Sequence, residues 1–225
     1  MNERILVWDG CQNVRDLGGL RTSDGRMTRR GAIVRSDTPA RLTKTGWSAL
    51  YSYGIRTIVS LRTHGMEENE FDATSPSSDI AIIQAAIEDV TDEDFVREWA
   101  ATELWGTPLY YQDALQRWPK RHAAAISAIA RAQPGGVLFH CIRGHDRTGI
   151  IALLLPALAG VRPDEIIADY ELSPDPERDE LLAKRNLSVR EVLHNTLEGL
   201  DIDSYLVMGG ASQADLDSIH KRLLG

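Results

Sequence analysis

Cysteine is scarce: only Cys11 and Cys141 occur among 225 residues, and they have no zinc-ligand spacing. Basic residues are outnumbered, 25 against 33 acidic ones, for a net charge of −8. A general nucleic-acid binder carries a basic face, so that class is set aside. Long apolar runs are missing as well. The longest, 150–159, is too short to span a bilayer and contains Pro156. The opening MNERILVWDG lacks the basic region and long apolar stretch of a signal peptide. A reducing, cytoplasmic setting is expected, and it suits a working thiolate. No internal repeat or low-complexity tract occurs. What is present is a 43% hydrophobic chain, enough for one domain over 1–225 with a full core or a core plus a small cap.

The most informative segment is VLFHCIRGHDRTG, 137–149. Val137-Leu138-Phe139 reads as a buried strand, Cys141 follows its end, and an apolar helix is expected from about Thr148. Backbone N–H groups from Ile142 to Arg147, through Arg143, Gly144, His145 and Asp146, can curl into an anion-binding nest. Gly144 supplies the freedom a tight loop needs. The helix aims its positive end at the same spot. Arg147 can clamp two phosphate oxygens with its planar fork. A cysteine in such a field is favoured as thiolate, the nucleophilic form. Attack on phosphorus would give a phosphocysteine that water hydrolyses, with Thr148 assisting departure of the sulfur. The chemistry requires neither metal nor cofactor, because nest and arginine supply the charge stabilisation. A lone cysteine and arginine would read as inert core. The strand, the Gly144 loop and the helix around them turn the reading toward a cysteine-dependent phosphatase.

Strands and helices alternate elsewhere, which argues for an α/β sheet with the loop at a strand's carboxyl end. Residues 1–36 read as an entry strand and a hairpin turning at Asp24-Gly25, followed by a short strand at Ala32-Ile33-Val34. A helix over 43–53 ending near Gly54 precedes a buried strand at 57–61. Residues 62–72 read as helical, 75–78 as a loop, and 80–87 as another buried strand. Three of the five tryptophans fall in 91–119, which reads as two helices broken at Gly106-Thr107-Pro108. Those aromatics are either core or a helical lid over the site. Helices follow at 121–132 and after Arg162-Pro163, and Ser212-x-x-Asp215 starts the last one as a capping box.

His140-Cys141-x5-Arg147-Thr148 resembles the signature of the protein tyrosine phosphatase superfamily. Asn13-Val14-Arg15-Asp16-Leu17-Gly18-Gly19, Arg35-Ser36-Asp37, Gly54-Ile55-Arg56-Thr57-Ile58, Leu61-Arg62, Gly160-Val161, Asp169-Tyr170 and Ser173 extend the likeness to the atypical bacterial tyrosine and lipid phosphatases. That resemblance implies a phosphatase fold, with a mostly parallel sheet flanked by helices and a helical elaboration at 91–119. It implies phosphotyrosine as the default substrate, sometimes phosphoserine or phosphothreonine, and often phosphoinositides. It also implies that Arg15 and Asp16 brace the phosphate loop. Two positions depart from the pattern. His145 stands where lysine is usual, and Val14 where an aromatic is usual. A ligand-facing His145 predicts affinity for multiply anionic substrates that falls as pH rises through the histidine's range.

The proton donor has two leading candidates. Asp89 follows a strand end and is expected to be the acid, while Asp146 inside the loop is expected to brace it. Glu88, Asp92 and Asp94 stay open as neighbours. Cys11 stands before the Asn13 segment, either inert or able to pair reversibly with Cys141. Rival readings are a phosphatase for a small metabolite, such as a nucleotide or sugar phosphate, and a phosphate-binding pseudoenzyme. Oligomeric state is left open.

Overall fold

A computed structural model describes residues 3–63 and 79–225. The expected loop at 75–78, and all but the first two residues of the expected helix at 62–72, lie outside them.

Among the described residues five strands make one sheet: β1 (Arg15–Asp16), β2 (Ile33–Ser36), β3 (Ile55–Ser60), β4 (Ala81–Gln84) and β5 (Gly136–His140), in spatial order β1-β2-β5-β3-β4. β1 pairs antiparallel with β2, and the other pairings are parallel. β5 is the centre, with Ile33 and Thr57 both opposite Val137. Its run Gly-Val-Leu-Phe-His is buried throughout, as a parallel strand covered on both faces requires. Alternation splits that run between two cores. Val137 and Phe139 join the larger one, and Leu138 joins Trp8, Val14, Val34, Leu42, Leu50, Ile55 and Ile58 on the other face.

α1 (Lys44–Ser52) covers the smaller core and is capped by the Thr43 side chain. The larger core lies under α3 (Tyr111–Arg117), α4 (Pro119–Ala130), α5 (Asp146–Leu158), α6 (Pro163–Glu171), α7 (Pro176–Ala183), α8 (Val189–Glu198), α9 (Ile202–Met208) and α10 (Gln213–Leu224). A short α2 (Glu93–Phe95) precedes them. α5 is apolar on all sides and almost wholly buried, and Pro156 is accommodated near its end. The hairpin forms around Asp24-Gly25, with Arg21 bridging Met27. The Ser212–Asp215 capping box forms as its spacing requires. No helix among the described residues is long and apolar enough to cross a membrane.

Three expectations need correction. β4 is shorter than 80–87 and largely exposed, because among the described residues it is an edge strand paired only with β3; burial falls on the flanking Ile80 and Ile87. The active-loop helix begins at Asp146, two positions before Thr148, so a carboxyl stands at its first turn. The first helix expected in 91–119 is only α2 continued by a π-helical turn, Val96–Ala100. The aromatics there are mainly core. Phe95, Tyr110, Tyr111 and Trp118 are buried and meet edge to face, with Phe95 and Trp118 ring centroids 4.6 Å apart. Trp105 is 38% exposed, and a Cβ on the adjacent Gly106 would lie 3.3 Å from Arg143 Nη2. That turn therefore borders the loop.

Candidate active site

Cys141 leaves the end of β5, buried, and the chain turns through Ile142–His145 into α5. The loop is shaped from outside through its carbonyl groups. Thr38 N–H donates to Ile142 O at 3.0 Å. Asn13 Nδ2 donates to Arg143 O and Gly144 O, both at 3.1 Å, and Arg35 Nη2 donates to Gly144 O at 2.8 Å. Tyr111 OH donates to Asp146 O at 3.0 Å and reaches His145 O at 3.5 Å. A backbone whose carbonyls are held by outside donors in this way can turn successive N–H groups toward a common interior, as an anion nest requires. Gly144 sits at φ +71°, and a Cβ there would stand 2.7 Å from the Ser36 carbonyl, so β2 packs directly against the loop.

These outer donors are themselves anchored. Asp169, buried in α6, takes Arg4 at 2.7 Å, Arg35 at 2.8 Å and Arg15 at 3.3 Å. Burial opposes ionisation of Asp169, but Arg15, Arg35 and Arg4 outweigh it and hold the carboxyl well below the usual range. Arg15, pulled down to about 10 by burial and by Arg35, also donates to Asn13 Oδ1 and Ser173 Oγ. Arg15 thus braces the loop through Asn13. Asp16 does not. Its carboxylate accepts from Gly18 N, Gly31 N and Tyr53 OH, fixing the entry turn instead.

The acids separate sharply. Glu88 is 1% exposed, 3.8 Å from Arg147 Nε, and accepts from Tyr110 OH at 2.8 Å. Burial pushes its carboxyl up to about 7 against the opposing pull of Arg147 and Tyr110. Asp146 is pushed up to about 6, mainly by burial, with Arg143 and Arg147 opposing. Its Oδ2 meets Arg143 at 3.3 Å, while Oδ1 is buried with no hydrogen bond among the described residues. Asp89 is the opposite case. Thr91 donates to it twice and Arg121 lies 2.5 Å away, so its carboxyl is held low. An acid held ionised by partners is a poor proton donor, so these contacts count against Asp89 as the acid.

His145 places Nδ1 3.4 Å from Asp175 Oδ2, which also takes Arg143 Nη1 at 3.3 Å. Burial, Arg143 and Arg35 lower its pKa despite Asp175. That lowering moves any binding profile driven by protonation of the ring toward lower pH. Thr148 Oγ1 is buried and has no hydrogen-bond partner among the described residues. Cys11 is free, 3.6 Å from Thr38 O, and burial together with Asp37 pushes its thiol up to about 12, which favours the inert reading.

Asn13, Arg35 and Asp169 stand in segments that carry the family resemblance, and the structure gives them this anchoring role; Tyr111 and Asp175, which no spacing rule singles out, complete the architecture. The raised carboxyl of Glu88 has a consequence for stability. A folded pKa above the unfolded value means that folding weakens as pH rises from about 4.5 to about 7. Glu88→Gln keeps an acceptor for Tyr110 and removes the titration. Relative to the parent, the variant should gain on the order of 1–3 kcal/mol of stability between pH 5 and pH 8. Urea unfolding at the two pH values measures it, and parallel profiles would show that Glu88 does not titrate in this range.

The family model for the tyrosine phosphatase family matches residues 6–225. The chain belongs to that family. The phosphatase-family chain is 30% identical over 167 residues to a provisionally named tyrosine-protein phosphatase of Cupriavidus necator, a match covering 73% of this chain and 61% of that one. It is 32% identical over 146 residues to a tyrosine-protein phosphatase of Nostoc commune, covering 63% and 48%. Against the triple specificity protein phosphatase PtpB of Mycobacterium tuberculosis it is 25% identical over 193 residues, covering 74% and 68%. The matched regions thus span about half to three-fifths of the first two relatives. A crystal structure of P. aeruginosa TpbA with phosphotyrosine aligns with a TM-score of 0.41 at 14% identity, covering 80% of this chain and 86% of that one.

Proposed function

We propose that this chain is a phosphomonoester hydrolase working through a phosphocysteine, with phosphotyrosine as its default substrate. The observation that carries the reading is the outward anchoring of the loop carbonyls from Ile142 to Asp146 around Cys141 and Arg147. A phosphate dianion fits such a nest without a paired counter-ion. Family membership and relatives named as tyrosine-protein phosphatases support the same chemistry.

In the first step the Cys141 thiolate attacks phosphorus, and the bond from phosphorus to the ester oxygen breaks. Asp146, raised toward neutrality and with Oδ1 unpaired among the described residues, gives its proton to the departing oxygen. In the second step water attacks the phosphocysteine and its proton goes to the Asp146 carboxylate. The sulfur leaves as thiolate, with the Thr148 hydroxyl donating to it. Arg147 clamps two phosphoryl oxygens in both steps, and Glu88 beside it acts as a positioning residue.

Alkylation tests the nucleophile. Iodoacetate should inactivate the protein with one equivalent on Cys141, and inorganic phosphate should protect it. Cys11, with its raised thiol, should react far more slowly. Peptide mapping that finds Cys11 modified and Cys141 untouched in the inactivated protein would overturn the assignment.

A further inference from the structure

A cavity of about 510 Å³ opens beside the phosphate loop. Arg143 and His145 of the loop line it, as do Gln12, Asn13 and, from the turn Pro39–Arg41, Arg41. Arg15 and Asp37 complete its charged lining. Three cations therefore face one carboxylate, in a chain whose net charge is −8.

The members of this set are not equally available. The Asp37 carboxylate accepts from the N–H groups of Gln12 and Asn13. Arg15 is committed to Asp169, Asn13 and Ser173. Arg143 is held between Asp146 and Asp175. Arg41 is different: it is exposed, and its guanidinium makes no hydrogen bond or ion pair among the described residues. Its backbone is nevertheless fixed. Gly10, at φ +99°, packs so closely that a Cβ would stand 2.0 Å from Arg41 O. At the other end of the turn, Thr38 N–H is bonded to the loop carbonyl of Ile142 at 3.0 Å. The backbone position of Arg41 relative to the phosphate loop is thus set by main-chain contacts, while its guanidinium keeps its donors open among the described residues.

A guanidinium with open donors, carried on a backbone held against an anion-binding loop, is suited to a second anion on the same molecule. Phosphate fits better than carboxylate, because its oxygens can bridge two arginine forks. We propose that this cavity is a subsite for a second phosphate of the substrate, with Arg41 as its principal ligand and Arg143 as the edge it shares with the loop. This rests on the phosphatase reading.

The test compares substrates carrying one and two phosphates. The probes are p-nitrophenyl phosphate, a singly phosphorylated tyrosine peptide, the same peptide with a second phosphate, and a soluble inositol bisphosphate. The parent protein should prefer at least one doubly phosphorylated probe over the singly phosphorylated peptide. Arg41→Ala should lower the specificity constant for that probe about tenfold, the scale of one charge-assisted hydrogen bond, through KM. Arg41→Lys, which keeps the charge without the fork, should lose less. Turnover of p-nitrophenyl phosphate should stay within about twofold in both variants, since a single phosphate does not reach the subsite. The doubly phosphorylated probe that responds identifies the source of the second phosphate. Absence of any preference in the parent, or equal losses on single and double phosphates, would overturn the subsite. Absence of p-nitrophenyl phosphate turnover in the parent would instead overturn the phosphatase reading itself.

Discussion

Cys141→Ser is expected to lower turnover of an aryl phosphate by roughly four orders of magnitude or more while the protein still binds inorganic phosphate. The two effects separate because they rest on different atoms. Turnover needs the sulfur as nucleophile and leaving group. Binding needs the loop N–H groups and Arg147, and the carbonyl anchors from Asn13, Arg35, Thr38 and Tyr111 do not involve the side chain of Cys141. Steady-state assay and phosphate titration by calorimetry check the pair. Retained turnover would remove the cysteine mechanism. Lost binding with a folded protein would show that the nest depends on the thiolate.

The second large effect concerns the acid. A poor leaving group needs a proton and an activated one does not. Asp146→Asn should therefore slow hydrolysis of a phosphotyrosine peptide by about 10²–10⁴-fold, and that of a nitrophenyl ester far less. The parent's rate on the peptide should fall as pH rises through about 6, because the acid form is the donor and Asp146 is raised to about that value. That alkaline limb should flatten in the variant. Asp89→Asn should leave the leaving-group dependence intact, since the Asp89 carboxylate is occupied by Thr91 and Arg121. A leaving-group effect confined to Asp89→Asn would reverse the assignment. One confined to Glu88→Gln would move the acid to the residue beside Arg147.

Much of the fold can be read from local pattern. The buried β5 run, the turn at Asp24-Gly25, the Thr43 and Ser212 caps and the strand-loop-helix around Cys141 all depend on residues near one another in sequence. The misreadings have physical causes. Ala81-Ile82-Ile83 is apolar enough for a central strand, yet apolar content does not say whether a second neighbour will pair with it. Glu88 and Asp89 are adjacent acids with opposite surroundings, because an irregular backbone turns one toward Arg147 and the other toward Arg121. The segments that hold Asn13, Arg35 and Asp169 carry the family resemblance, but their contacts are not legible in one dimension. Their joint role exists only where three distant segments meet behind the loop.

That meeting has a consequence for the life of the chain before it is fully folded. Asn13 and Gly144 are separated by 131 positions, Arg35 and Gly144 by 109, and Arg15 and Asp169 by 154. Contacts of such long range close late, after the loop-closure entropy has been met by the rest of the core. During synthesis the Cys141 segment emerges before Asp169 exists to orient Arg15 and Arg35. The nascent chain therefore carries Cys141 without the outer contacts that shape its loop. On the mechanism proposed above, the anion site is complete only once α6 is in place, so the acquisition of phosphate-protected alkylation should serve as a clock for completion of the fold.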